Sequence, residues 1–66
     1  MIVTANGRPV ELPCGSQLTD LFDALGVGTR WVVAEVNGEA VDRARMTGFE
    51  LCDGDRVEVV RAVAGG

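Results

Sequence analysis

Only one stretch of this 66-residue chain spaces its apolar residues as a helix does. In SQLTDLFDALG, Leu18, Leu21, Phe22 and Leu25 fall at i, i+3, i+4 and i+7, forming a single stripe. Ser16 stands where an N-cap belongs, and Gly26 where a left-handed C-terminal cap belongs. A lone amphipathic helix has no second helix to cover its stripe. It needs a sheet with one apolar face, and the rest of the chain has the alternation of such a sheet.

The segment IVTANGRPVEL reads as a hairpin. Asn6 and Gly7 suit a two-residue turn that requires positive φ, and alternation places Val3 and Ala5 on one face, Ile2 and Thr4 on the other. Pro9 has no N–H to donate, so its strand belongs at a sheet edge. After the helix, WVVAEVNGEAV reads as a strand with Val32, Ala34 and Val36 on one face and Val33 and Glu35 on the other. An Asn37-Gly38 turn and a short strand at residues 40 and 41 follow. DRARMTGFEL is a connection with one helical turn at its start, and CDGD turns the chain into RVEVVR. In that last strand Val57 and Val59 face one side, Glu58 and Val60 the other. The order β-β-α-β-β-β predicts an α+β domain in two layers: a mixed sheet of four to five strands with one main helix packed across it. This is the β-grasp arrangement, in which the first and last strands lie side by side and parallel. The expected division is a domain over residues 1–61 and a flexible tail over 62–66.

Size and charge exclude several functions. A chain this short buries only about 60% of its unfolded surface and has little room for a deep active site. Ten acidic and six basic residues give a net charge of −4 without a basic cluster, so nucleic acid is a poor partner and a basic protein surface a better one. No apolar run approaches the roughly 20 residues of a membrane span, and the N-terminus lacks a signal-peptide pattern; the expected location is cytoplasmic. The phosphate-loop and dinucleotide glycine motifs are missing, and histidine is absent. Cys14 and Cys52 without histidine do not make the usual zinc site, and in the cytosol they are expected as free thiols. Cys14 precedes the helix N-terminus, and Cys52 is expected half-buried beside the turn. Asp53 and Asp55 have too few oxygens for a good cation site and read as a polar turn. No residue is assigned to catalysis, metal binding or a resident cofactor.

What remains is the end of the chain. If the last strand stops at Arg61, AVAGG projects from it and reaches roughly 17 Å when extended. Ala64, Gly65 and Gly66 would thread a narrow channel, because two of the three lack a Cβ. The chemistry would then lie in the Gly66 α-carboxylate. A carboxylate is a poor electrophile until another enzyme converts it to an acyl-adenylate, which is the logic of a group carrier.

VVAEVNGEAV, ELCDGDRVEVV and the closing AGG, together with IVTANGRPVELP and SQLTDLFDALG, resemble the ThiS family of sulfur carriers in thiamine biosynthesis, along essentially the whole chain. The related small subunit of molybdopterin synthase shares the fold, the DGD and the terminal glycines. It is typically longer where this chain has only GVGTR, and it often carries Pro-Pro before its final segment. Two departures from the ThiS pattern, Asp42 where proline is frequent and Cys14 where an acidic residue is frequent, leave the tail untouched.

The resemblance implies a co-substrate rather than an enzyme. A ThiF-type adenylating enzyme, related to ubiquitin-activating enzymes, would use Mg-ATP to adenylate Gly66. A cysteine desulfurase persulfide would supply sulfur, and a ThiG-type thiazole synthase would consume the resulting thiocarboxylate. Val60 and Val33, with Ile2 nearby, are expected to form a partner patch on the open face of the sheet, and Arg61 to meet an acidic group on the partner. The missing lysines have two readings: a coding bias toward arginine, or removal of side-chain amines that would attack an activated terminus. Other destinations for the sulfur, a ubiquitin-like protein modifier, and a plain interaction module remain as alternative readings.

Overall fold

The computed structural model describes residues 1–28 and 32–61, with Arg61 described by its backbone alone. Strands β1 (Ile2–Ala5) and β2 (Arg8–Glu11) form a hairpin that leads to helix α1 (Leu18–Leu25). Strands β3 (Val32–Val36) and β4 (Glu39–Val41), the short helix α2 (Arg43–Met46) and strand β5 (Arg56–Arg61) complete the fold. Among the described residues the sheet has five strands in the order β2-β1-β5-β3-β4. Strand β5 is central, parallel to β1 and antiparallel to β3. The expected mixed β-grasp sheet with one main helix is therefore present.

Local chemistry explains the elements. Both Asn-Gly pairs adopt positive φ at both residues, 51° and 82° at Asn6 and Gly7, 53° and 86° at Asn37 and Gly38. This is the type I′ geometry whose twist matches the flanking strands. Pro9 lies opposite Thr4 on edge strand β2. Thr4 directs its backbone to the other side, where its N–H donates to Asp55 O at 2.9 Å. The missing N–H of Pro9 thus falls at the free edge and costs the ladder nothing. At α2, Asp42 Oδ1 accepts from the Arg45 N–H at 3.0 Å, an N-cap on a single turn.

Helix α1 starts one residue later than the sequence suggests. Gln17, not Ser16, is the N-cap, and Asp20 Oδ2 accepts from the Gln17 N–H at 2.7 Å. Ser16 is held elsewhere: its hydroxyl donates to Pro13 O at 2.7 Å, and its carbonyl accepts from the Leu51 N–H at 3.0 Å. Residue 17 is still extended because it forms a bridge with Glu50, so the helix begins only after it. The C-terminus is as expected, with Gly26 left-handed at φ 72°.

Leu18, Leu21 and Phe22 are fully buried against Val3, Ala5, Val32, Ala34, Val36 and Val57 of the sheet. Complete burial of each such leucine or phenylalanine is worth about 1.5–3 kcal/mol. Leu25 departs from the expected stripe and is 40% exposed. The helix ends there, and Val27, past the cap, packs on the core instead. No buried side-chain nitrogen or oxygen among the described residues lacks a hydrogen-bond partner. No helix among them is long and apolar enough to cross a membrane.

Candidate functional site: the open sheet face at the end of β5

Alternation along β5 sends Val57 into the core and leaves Val60 outside, 61% exposed. In β3 the same pleat buries Val32 and Ala34 and leaves Val33 51% exposed. The antiparallel register sets Val33 directly opposite Val60. Two β-branched side chains thus stand side by side on the uncovered face, one residue before Arg61. Arg61 closes β5 opposite Val32. Ala64, Gly65 and Gly66 lie outside the described residues.

The next pair along these strands is Glu35 opposite Glu58, both exposed on the same open face. Like charges placed directly across an antiparallel pair destabilise the sheet that holds them. Sequence reasoning alone did not find this pair, because it depends on the register between strands more than twenty residues apart. The face at the end of β5 therefore combines an apolar pair with an acidic one, a pattern complementary to a basic, partly apolar surface.

Ile2 does not belong to this group. It is 52% exposed on the same side of the sheet, but the parallel pairing sets Thr4 beside Arg56 and Ala5 beside Val57. Ile2 is level with Gly54, whose N–H donates to the Ile2 carbonyl at 2.8 Å. Six residues separate that level from Val60, four of them along β5, and the strand rise alone of about 3.3 Å per residue puts more than roughly 10 Å between the two levels. The cause is the Asn6-Gly7 turn, which ends β1 early and confines it to the first half of β5.

The two aspartates of the DGD turn are occupied with the fold. Asp53 Oδ1 accepts from the Ile2 N–H at 2.7 Å. Asp55 accepts from the Cys52 N–H at 2.8 Å and from Asn37 Nδ2 at 2.9 Å. Gly54, at φ 87°, gives the turn the left-handed residue it requires. No group of three or more potential metal ligands occurs among the described residues. Cys14 and Cys52 are both free thiols. Cys52 is exposed rather than half-buried, because alternation at this point sends Leu51 into the core and residue 52 outward.

The sequence model of the ThiS family matches residues 3–66. A crystal structure of the thiamine biosynthesis protein ThiS from Geobacter metallireducens is 33% identical, with a TM-score of 0.82 and full coverage of both chains. A solution structure of a thiamine biosynthesis protein from the same organism is 35% identical, with a TM-score of 0.78, covering 100% of this chain and 88% of the other. Sequence and fold agree over the whole length, and the chain belongs to the ThiS family, small sulfur carriers of thiamine biosynthesis rather than enzymes.

Proposed function

We propose that the protein carries sulfur as a thiocarboxylate on Gly66 and delivers it for construction of the thiazole ring of thiamine. The observation that supports this reading is the placement of the exposed Val33/Val60 pair at the end of β5, where the chain passes into residues 62–66. A partner that grips the pair holds the domain by the root of its C-terminal segment. The Glu35/Glu58 pair favours basic groups on that partner, and Arg61 provides a cation for an acidic one. Ala64, Gly65 and Gly66 enter the partner's channel, and the domain itself contributes no catalytic side chain.

The chemistry takes place on the partners. A ThiF-type enzyme binds Mg-ATP. The Gly66 carboxylate attacks the α-phosphorus, pyrophosphate leaves, and an acyl-adenylate forms. A persulfide sulfur, originating at a cysteine desulfurase, attacks the acyl carbon as AMP departs. Thiol reduction of the resulting acyl disulfide frees the thiocarboxylate, which a ThiG-type thiazole synthase consumes. The carrier binds no cofactor of its own, and nucleic acid and membrane have no part in the cycle. These steps proceed among cytoplasmic enzymes, and the expected division into a domain over 1–61 and a tail over 62–66 falls partly outside the described residues.

The test is mass analysis of the C-terminal tryptic peptide after incubation with ATP, the adenylating enzyme and a persulfide donor. Cleavage after Arg61 releases AVAGG, which contains neither cysteine nor methionine, so thiol or thioether oxidation cannot mimic the change. Replacement of one oxygen by sulfur in this peptide is the expected result. An unmodified peptide, with the same enzyme active on another carrier, overturns the reading.

A further inference from the structure

Strand β5 is longer than the strand beside it. On the β3 side it is paired through to its end, from Val57 opposite Val36 to Arg61 opposite Val32. On the β1 side the strand partner ends at Ala5, which lies beside Val57. The backbone of Asn6 then donates its N–H to the Val57 carbonyl at 2.9 Å. Its side chain reaches one step further. Asn6 Oδ1 accepts from the Val59 N–H at 2.7 Å, and Asn6 Nδ2 donates to the Val59 carbonyl at 3.0 Å. The carboxamide has the donor and acceptor of a peptide group and takes the place of the next residue of β1.

A type I′ turn does not require this. Glycine and aspartate also tolerate positive φ at the first turn position. Only asparagine combines that tolerance with a neutral amide that satisfies an N–H and a carbonyl together. We propose that Asn6 is a positioning residue for the C-terminal segment: it holds both backbone groups of Val59 and so fixes the line along which β5 presents Val60 and Arg61 to a partner. The proposal rests on the carrier reading for its consequence, since a pre-aligned root lowers the ordering cost of inserting the segment into an adenylating site.

The fold supplies its own control. Asn37, in the other Asn-Gly turn, grips the opposite end of the same strand. Its Oδ1 accepts from the Arg56 N–H at 2.9 Å, and its Nδ2 donates to Asp55 Oδ1 at 2.9 Å. Asn6→Gly and Asn37→Gly each keep a turn that tolerates positive φ and each remove two side-chain hydrogen bonds, at opposite ends of β5. In Asn6→Gly, hydrogen exchange at the Val59 amide accelerates at least tenfold, and the amide order parameters of Val60 and Arg61 fall. In ATP–pyrophosphate exchange with the adenylating enzyme, KM for Asn6→Gly rises five- to tenfold while kcat stays within twofold. Asn37→Gly shows wild-type order at Val60 and Arg61 and a wild-type KM. A merely structural role lowers the thermal stability of both variants and moves their KM values alike. Wild-type exchange at Val59 in Asn6→Gly, or an equal KM change in the two variants, overturns the proposal. Should the wild-type chain support no pyrophosphate exchange at all, the carrier reading falls, and the amide measurements alone decide the role of Asn6.

Discussion

Replacing Val33 and Val60 together by threonine tests whether this face is the docking surface. Threonine keeps the β-branch, the volume and the strand propensity of valine, and exchanges one methyl group for a hydroxyl. Both side chains are more than half exposed in the free domain, 51% and 61%. The free protein therefore changes stability by no more than about 0.5 kcal/mol. In a dry interface each site loses the burial of a methyl group, about 0.8 kcal/mol, and gains a hydroxyl desolvation of similar size or larger. The two sites together come to about 3 kcal/mol, roughly a hundredfold in affinity. Titration calorimetry against the adenylating enzyme reads that loss, and thermal melting of the free carrier verifies that the fold is intact. Ile2→Thr is the control, a larger apolar loss at a β-branched residue of similar exposure, 52%, at the other end of the sheet. Its affinity stays within a factor of two of wild type. Unchanged binding by the double variant, or an equal loss in Ile2→Thr, refutes the assignment of the surface.

Further outcomes follow from the same structure. Phe22 is fully buried under the sheet, and Phe22→Ala costs about 3–5 kcal/mol, comparable with the whole stability of a domain of this size; circular dichroism at 37 °C should show no cooperative melting transition. Asp55→Ala leaves the Cys52 N–H and the Asn37 amide without their acceptor and costs about 2 kcal/mol in urea denaturation, with binding at the Val33/Val60 face retained. Replacing Cys14 and Cys52 together by serine, both being exposed free thiols, leaves the yield of Gly66 thiocarboxylate unchanged in the peptide mass assay. Removal of Gly65 and Gly66 abolishes pyrophosphate exchange, and the melting temperature of the domain stays as it was.

Much of this protein is legible in the order of its residues, because the deciding forces act over a few positions. The stripe of Leu18, Leu21 and Phe22 specifies a helix with one buried face, and Gly26 its end. The Asn-Gly pairs specify two type I′ turns, since few other residues accept positive φ in succession. Alternation in VVAEV and RVEVV determines which valines face the helix and which face outward. One helix and several half-apolar strands have few ways to cover each other, so the α+β architecture follows. Local pattern also misplaces details at the margins: Ser16 has the chemistry of an N-cap but is used by residues 13 and 51, and Leu25 continues a stripe that the sheet does not reach.

The arrangement of the proposed docking face was decided only in three dimensions. Whether Ile2 lies beside Val60 depends on the parallel register between β1 and β5, strands about fifty residues apart, and alternation specifies a face but not a level along it. The Asn6-Gly7 turn stops β1 halfway along β5, which separates Ile2 from the pair at Val33 and brings the Asn6 amide against Val59. Asp53, Asp55 and Asn37 likewise read as turn residues, and only the closed sheet gives their side chains partners far away in the chain. Hydrogen bonds between a side chain and a backbone 53 residues away leave no periodic trace in the sequence. They form because the central strand, paired last in chain order, needs donors and acceptors where its neighbours end.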